Sequence, residues 1–381
     1  LAVESRMNPQ AQYGADVIMR ANYALEHGTE ALSMCVRKAV NEMLGSLAED
    51  AGIRREDVFQ VCVVGNTCMH HLFLGISPAS LAHAPYTPAV SERLVLNAGD
   101  YGLAVQERAE LIMLSDIAGY VGADTCGCLL AIRQDQQEEI SLMIDIGTNG
   151  EMVLGNRERM VTCSTAAGPA FEGAKIECGM RGAAGAVDHV KYEDGKWNYT
   201  TVGNKPAVGL CGSGLIDLVA GLLDAGMLDE NGVLRSGQEK QGVFILVPPE
   251  RGGNERGGYL TQKDLGEVQL AKAAIAAGIQ MLMERLGITE DDICSVYIAG
   301  AFGNYMDPVS AGKIGLLPAT LVKKVKPVGN AAGEGAKIAL VNEKEMLEMD
   351  ELVRKIEFVE LAASADFQDH FIDELGFETG E

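Results

Sequence analysis

Apolar residues along the chain follow two kinds of spacing, and together they predict an α/β protein. Across residues 15–49 they recur at helical spacing with a break near Gly28, which predicts two helices. Elsewhere, short and nearly continuous apolar runs predict buried strands, several of them ending at glycine. The predicted strands cover 57–64, 140–146, 151–154, 160–163, 295–299 and 356–361. Further helices are predicted at 122–132, 212–226, 261–287, 307–315 and 331–341, and the segment 166–173 is predicted to turn into a helix.

The order of these elements predicts a duplicated architecture. Strand–helix units with glycines at their strand ends occur in both halves of the chain. Repeated units of this kind build two α/β lobes with a ligand-binding cleft between them. We therefore expect a first lobe at 1–139 and a second lobe at 140–381.

The charge balance excludes one large class of partner. Of 381 residues, 31 are Lys or Arg and 54 are Asp or Glu, which gives a net charge of −23. Nucleic-acid binding needs a basic face, so no nucleic-acid partner is expected. The sequence contains no apolar run of membrane-spanning length and no secretory signal pattern, so no membrane partner is expected either. Nine cysteines without a Cys-x2-Cys pair are typical of reduced thiols in a cytoplasmic protein.

The first candidate site is the segment Asp-Ile-Gly-Thr-Asn-Gly-Glu, which begins at Asp145. Asn-Gly between two apolar runs predicts a β-hairpin, with the Asp145 carboxylate at the end of its first strand. The glycines let the backbone approach a ligand, and Gly150 permits a positive φ. The segment is suited to hold a phosphate while Asp145 binds Mg²⁺ through water, and the alternative is an ordinary type I′ hairpin. The candidate phosphate-binding residues are Gly147, Thr148, Asn149 and Gly150.

Three further segments of small residues lie near predicted strand ends, at 166–173, 211–217 and 299–303. Such turns present free backbone N–H groups to an anion, and ligands of α/β proteins bind at the carboxyl ends of strands. The alternatives are close helix–strand packing at 166–173 and a plain helix N-cap by Ser213. The candidate nucleotide-binding residues are Ala167, Gly168, Pro169, Glu172, Gly300, Ala301, Phe302 and Gly303.

Asp124 is a polar residue at the start of an otherwise apolar predicted helix. It is either an N-cap aspartate or a carboxylate that orients water or a hydroxyl against a terminal phosphate. The neighbouring His70 and His71 point in different directions and have no third ligand at a useful spacing, so they are not expected to bind a metal.

Several of these motifs together resemble known families. DIGTNGE at 145–151, AAGPAFEGA at 166–174 and AGAFG at 299–303 follow the order found in the second lobe of the acetate and sugar kinase/Hsp70/actin (ASKHA) ATPases. Over almost the whole chain, the sequence more closely resembles the ATP-dependent reductive activators of corrinoid proteins. The segments that carry this likeness are NPQAQYGADVIMR at 8–20, VVGNTCMHHLFLG at 63–75, GYVGAD at 119–124, CGSGLID at 211–217, QLAKAAIAAGI at 269–279 and GNAAGEGA at 329–336.

The resemblance implies a two-lobed α/β fold of the actin/Hsp70/sugar-kinase type, built from duplicated ribonuclease H-like domains. It also implies an enzyme that couples hydrolysis of ATP, with Mg²⁺, to reduction of Co(II) to Co(I) in a corrinoid protein of a methyltransferase system. The segment 300–303 would then bind adenosine, and Asp124 would occupy the catalytic aspartate's position. The corrinoid protein is the implied partner, the electron donor is unspecified, and a homodimer is allowed.

In the resembled family, a [2Fe–2S] domain and a first phosphate hairpin of the form Asp-x-Gly-Thr-Thr precede the segments found here. This sequence has no Cys-x4-Cys-x2-Cys motif and no Asp-x-Gly-Thr before Asp145. We expect both features to precede Leu1, with the [2Fe–2S] cluster in that preceding domain and the first lobe incomplete at its N-terminus.

Two other functions remain open. The chain could be a small-molecule kinase of the same superfamily, with Asp124 as general base for a substrate hydroxyl. It could also bind nucleotide or a partner protein without turnover.

Overall fold

A computed structural model describes residues 1–235, 242–255 and 257–377, without the side chain of Ala301. The chain forms two compact units. Unit 1 comprises Leu1–Gln136 and Asn330–Phe358, and unit 2 comprises Gln137–Gly329 and Val359–Glu381. Within the described residues, none of the helices combines the length and the apolar character needed to cross a bilayer.

The strands are numbered along the chain as β1 (Gln60–Val63), β2 (Leu94–Asn97), β3 (Glu110–Met113), β4 (Ile140–Ile146), β5 (Gly150–Gly155), β6 (Met160–Thr165), β7 (Ala186–Glu193), β8 (Lys196–Thr201), β9 (Gly209–Leu210), β10 (Val243–Val247), β11 (Gly258–Thr261), β12 (Ile293–Ala299), β13 (Val325–Gly329) and β14 (Glu357–Phe358). The α-helices are α1 (Val17–His27), α2 (Glu30–Ala51), α3 (Thr67–Leu74), α4 (Ala123–Ile132), α5 (Gly212–Asp224), α6 (Gln262–Leu286), α7 (Gly300–Gly303), α8 (Pro308–Lys313), α9 (Ala331–Val341), α10 (Glu343–Val353) and α11 (Ala365–Asp373).

Unit 1 is built on a small sheet and a tight pair of helices. The strand order is β1-β3-β2, with β1 parallel and β2 antiparallel to β3. Helix α9 packs against α4 so closely that a Cβ on Gly335 would overlap the carbonyl oxygen of Gly127. Only glycine at the crossing point allows two helix backbones to approach this far. This contact ties residues after Asn330 to the first part of the chain.

Unit 2 is organised around a larger sheet in which β13, β12, β4, β5 and β6 are neighbours in that order. Strands β13, β12 and β4 are parallel, whereas β4, β5 and β6 form an antiparallel meander. Helix α6 lies against this meander, where a Cβ on Gly278 would overlap the methyl group of Met152. A second sheet of β8, β7 and β9 packs on α5. The carboxyl ends of β4 and β12 therefore lie side by side at one edge of the main sheet.

Most long elements agree with the sequence prediction, because their apolar pattern is strong. Helix α6 begins at the predicted N-cap, where Thr261 and Asp264 form a reciprocal capping box. The helix predicted after Ala166 is wrong, because Gly168 and Gly173 have φ values of +76° and +77° and the segment forms successive turns. The hairpin of β7 and β8 was not predicted. The strand predicted at 356–361 is reduced to the two residues of β14.

The observed units differ in one segment from the predicted lobes, which divide the chain between residues 139 and 140. Residues 330–358 belong to unit 1, whereas the prediction assigned them to the second lobe. The physical reason is local packing: besides the α4–α9 contact, the Asp350 carboxylate on α10 accepts hydrogen bonds from Arg93 Nε at 2.7 Å and Ser115 Oγ at 2.9 Å. The boundary between Gln136 and Gln137 lies close to the predicted one.

Candidate functional site

The hairpin between β4 and β5 presents Asp145 at the edge of the main sheet of unit 2. Asp145 is paired with Glu151 across the hairpin, and Ile146 is paired with Gly150. The loop is therefore three residues long, 147–149, and the Gly147 N–H donates to the Asn149 carbonyl at 2.9 Å. This backbone geometry makes a narrow tip that projects beyond the sheet. The predicted hairpin is confirmed in its strands and position.

The predicted reason for Gly150 is wrong. Neither Gly147 nor Gly150 has a positive φ, so the hairpin does not use a type I′ Asn-Gly turn. Space explains Gly150 instead, because a Cβ there would lie 2.9 Å from Thr165 Oγ1 and 3.2 Å from Ile275 Cγ1. Glycine thus lets α6 and β6 pack closely behind the hairpin tip.

The segment that follows β6 folds back onto the hairpin tip. Thr148 Oγ1 donates a hydrogen bond of 2.9 Å to the Glu172 carboxylate, which joins the tip to the turn at 169–173. Ala167 is buried, and the Ala167 N–H donates to the Thr165 carbonyl at 2.9 Å. In the next turn, the N–H of Glu172 donates to the Pro169 carbonyl at 3.2 Å. Because 166–173 forms turns, it carries no helix macrodipole, and any anion contact must come from individual groups.

The loop after β12 meets the hairpin from the other side. Gly300 has a φ of +86°, and a Cβ on it would lie 2.9 Å from Asp145 Oδ1. Position 300 therefore requires glycine for two reasons: the backbone has a positive φ, and there is no space for a Cβ. Phe302 stacks on Phe171 with ring centroids 5.6 Å apart, which joins the loop to the 166–173 segment. Gly303, the last residue of α7, packs on Ile298.

The beginning of α5 closes the same cluster. A Cβ on Gly212 would overlap the Phe171 carbonyl oxygen and lie 2.8 Å from Phe302 Cε2. Ser213 is not the N-cap proposed as the alternative, because Cys211 occupies the N-cap position and Ser213 Oγ donates to the Asp188 carbonyl at 2.8 Å. The four segments 147–149, 166–173, 211–214 and 300–303 thus form one connected region of unit 2.

In unit 1, Asp124 lies in the first turn of α4 and is not its N-cap. Gly122 occupies the N-cap position, and the carboxylate that accepts the first-turn N–H of Ala123, at 2.9 Å, belongs to Asp116. Asp116 is buried and its Oδ2 lies 3.3 Å from Nδ1 of buried His70. Asp124 is therefore not the N-cap residue that the alternative interpretation proposed, but its Oδ1 accepts the first-turn N–H of Thr125 at 2.9 Å.

The surroundings of α4 are strongly acidic. Burial raises the pKa of the Cys126 thiol well above its usual value, and the nearby carboxylates of Asp116 and Asp124 raise it further. This environment favours the thiol of Cys126 over the thiolate.

The donor set near the hairpin fits a hard cation held mainly through water. Within the described parts of the chain, no three His, Cys, Asp or Glu side chains lie close enough together to enclose a metal ion. Asp145 supplies one half-buried carboxylate, which Gly300 approaches closely. Mg²⁺ typically takes one or two carboxylates, several waters and phosphate oxygens in such sites, so Asp145 suits it.

Sequence reasoning missed two side chains in these regions. Asp116 precedes α4 by seven positions, and no local capping pattern predicts a contact over that distance. Lys175 lies just beyond the predicted 166–173 segment, and its Nζ would be 3.7 Å from a Cβ on Gly168. Lys175 could have been noted from the sequence, because it is a lysine close to a glycine-containing turn.

The parallel strands continued by an antiparallel meander, with glycine loops at the ends of β4 and β12, define an ATPase-type fold of the ASKHA class. The predicted fold class is confirmed, since residues 139–381 match the family model described as the C-terminal domain of RACo, the ASKHA domain. Residues 1–137 match the model of the RACo middle region. The chain therefore belongs to the RACo family, the reductive activators of corrinoid proteins.

Three similar proteins support this assignment. The solved structure of a "reductive activator for corrinoid,iron-sulfur protein" has 38% identity and a TM-score of 0.89, over 98% of this chain and 61% of that chain. "Corrinoid activation enzyme RamQ" of Eubacterium limosum is 35% identical over 97% of this chain and 65% of its own length. A "[Co(II) methylated amine-specific corrinoid protein] reductase" of Methanosarcina barkeri is 27% identical over 96% of this chain and 71% of its own length. The chain thus spans roughly two thirds of each relative.

Proposed function

We propose that this chain is the ATP-hydrolysing part of a reductive activator, which couples ATP hydrolysis to reduction of Co(II) to Co(I) in a corrinoid protein. The partner follows from the names of the relatives, which act on corrinoid proteins. The electron comes from a one-electron donor, which the names of the relatives do not specify. All nine cysteines are free thiols, which supports placing the protein in the reducing cytoplasm.

One observation carries the ATP-binding part of the proposal: three loops of unit 2 and the first turn of α5 contact one another. The Thr148–Glu172 hydrogen bond, the Phe171–Phe302 stack and the approach of Gly300 to Asp145 connect the three loops. Gly212, at the start of α5, packs against Phe171 and Phe302. Glycines with no space for a Cβ line this region, as expected where a backbone must approach a phosphate closely.

The roles follow from this arrangement. Asp145 would hold Mg²⁺ through water, and the bound ion would neutralise the phosphate charge and orient the terminal phosphate. The tip residues 147–150 would bind phosphate, and the turn at 167–169, with Glu172, would contact the phosphate or ribose side of the nucleotide. The segment 300–303 would bind adenosine. Asp124 of unit 1 would orient the attacking water.

The test uses the full chain together with a Co(II) corrinoid protein and a Ti(III) reductant. We expect the Co(I) absorption band to grow only when Mg-ATP is present, together with phosphate release. Asp145→Asn should abolish Mg-dependent hydrolysis while the melting temperature stays close to that of the wild type. Asp124→Asn should lower kcat with little change in KM, because Asp124 is assigned to the chemical step and not to binding.

The alternatives give different results in the same experiment. ATP-dependent phosphorylation of one defined sugar or short acid, without any effect on the corrinoid, would establish a kinase instead. Nucleotide binding without phosphate release at saturating Mg-ATP and corrinoid protein would establish a binding module. Full hydrolysis by the Asp145→Asn variant would remove the site assignment.

A further inference from the structure

We propose that Lys175 binds the phosphate tail of the nucleotide in unit 2 as a fixed positive charge. The inference rests on the ATP-binding function proposed above and names a residue of that site which the motifs did not include. Its basis is the position of the Lys175 ammonium group, the rigidity of the segment that carries it and the charge of the surrounding turns.

The Lys175 ammonium lies beside the turn at Gly168. A Cβ on Gly168 would be 3.7 Å from Lys175 Nζ, and apart from the two neighbouring residues in the chain no other described atom would lie within 4 Å of it. Gly168 itself has a φ of +76°, so its backbone turns sharply at this point. The ammonium therefore lies at the edge of the same region in which Thr148 and Glu172 are hydrogen-bonded.

The segment that carries Lys175 is fixed to the beginning of α6. The N–H of Glu177 donates to Asp264 Oδ1 at 2.8 Å, and the other oxygen of this buried carboxylate completes the capping box with Thr261. Glu267 lies three residues further along α6, and its Oε2 is 3.3 Å from Lys175 Nζ. Because α6 also packs behind the hairpin, Lys175 is held relative to the hairpin by one rigid helix.

The ammonium is available to a ligand. The side chains of Lys175 and Glu267 are 53% and 23% exposed, and an ion pair with this much solvent access contributes little to stability. An arriving phosphate can therefore replace Glu267 as the partner of Lys175 at small cost. Lysine acts as a point charge toward phosphate, so it tolerates the change in geometry that such an exchange requires.

A cation is needed at this position because the surrounding turns carry negative charge. Asp145, Glu151 and Glu172 belong to the segments that meet here, and a triphosphate adds further negative charge. A bound Mg²⁺ compensates part of this charge, and a lysine ammonium supplies a further unit that does not depend on the metal.

The experiment compares the affinities of the full chain for Mg-ATP and for adenosine, measured by titration calorimetry. Lys175→Ala should weaken ATP binding about tenfold, the size expected for loss of one partly exposed charge-assisted hydrogen bond, and should leave adenosine binding unchanged. Lys175→Arg should restore most of the loss because it keeps the charge. Lys196→Ala is the matched control, since it removes an exposed lysine from the start of β8 in the same unit.

The outcomes separate this inference from the function on which it depends. If the wild-type chain binds no ATP, the proposed function fails and Lys175 has no role in it. If the wild type binds ATP and Lys175→Ala binds it equally well, only the inference about Lys175 is overturned. Equal losses for ATP and adenosine would also overturn it, because they indicate a structural role.

Discussion

The contact between Gly300 and Asp145 allows a sharp test of how the site is built. Gly300→Ala forces a residue with a Cβ into a backbone conformation with a φ of +86°. It also places that Cβ 2.9 Å from Asp145 Oδ1, a distance at which one of the two groups must move. The substitution therefore combines a backbone cost with a displacement of the proposed Mg²⁺ ligand.

A second glycine separates these two effects. Gly287 follows the end of α6 with a φ of +70°, and a Cβ there would meet nothing within 4 Å. Gly287→Ala therefore has the backbone cost alone. We expect Gly287→Ala to lose about 1–2 kcal/mol of folding stability, or about 2–8 °C in melting temperature, and Gly300→Ala to lose at least as much.

Activity should distinguish the two variants. Gly287→Ala should hydrolyse ATP at the wild-type rate below its melting temperature. Gly300→Ala should lose at least about tenfold in kcat, because displacing a reacting group by a fraction of an ångström is costly. Circular dichroism melts and a phosphate-release assay measure both quantities. If the two variants hydrolyse ATP equally, the close approach of Gly300 to Asp145 has no catalytic meaning and the reasoning is refuted.

Three further predictions concern stability. Gly335→Ala should destabilise unit 1 by about 3 kcal/mol, because its Cβ overlaps the backbone of α4. Gly266→Ala is the control in open space on α6 and should be neutral or stabilising by up to about 1 kcal/mol, as urea unfolding would show. Asp116→Ala should cost about 1–2 kcal/mol by leaving the N–H of Ala123 without its acceptor, whereas Asp116→Asn, which keeps an oxygen there, should cost less in the same urea titration. Burial raises the pKa of the Asp217 carboxyl above 3.8 in the folded protein. The folding stability of the wild type should therefore fall as pH rises from 3.8 through the folded-state pKa of Asp217. Asp217→Asn should remove this pH dependence, as unfolding curves recorded at several pH values would show.

Local sequence patterns predicted the parts of the site that depend on local structure. The strands before Asp145 and Gly300 are short apolar runs that end in glycine, and both glycine segments lie where the pattern predicted them. The capping box of Thr261 and Asp264 was readable for the same reason, since its two residues are three positions apart. Each of these features is decided by a few neighbouring residues.

Turn chemistry was harder to read than strand position. The type I′ hairpin considered for Asn149-Gly150 occurs instead at Asp194-Gly195, where φ is +52° and +75° in the two-residue loop between β7 and β8. That hairpin was missed because several positions of β7 and most of β8 are exposed, which weakens the apolar pattern that predicts a strand. The Asn-Gly pair correctly predicted a hairpin at 145–151. A type I′ turn has a two-residue loop, however, whereas the loop of this hairpin has three residues.

The remaining differences arise from contacts between residues distant in sequence. Asp116 caps α4 across seven positions, and Gly335 meets Gly127 across about two hundred. No spacing rule identifies such pairs, because their proximity is a result of the completed fold. The assignment of residues 330–358 to unit 1 has the same origin.

The charge of the whole chain makes these short-range contacts decisive for nucleotide binding. A net charge of −23 creates a long-range field that repels an anionic nucleotide, so electrostatic attraction at a distance cannot supply the affinity. The favourable interactions must therefore act within a few ångströms, and our proposal assigns them to backbone groups of the turns, to Lys175 and to a cation held at Asp145. Salt screens the long-range repulsion more strongly than contacts at hydrogen-bond distance. Moderate salt should therefore weaken ATP binding to this chain less than it weakens ATP binding to a protein that relies on a basic surface. The rate of ATP association should increase with salt.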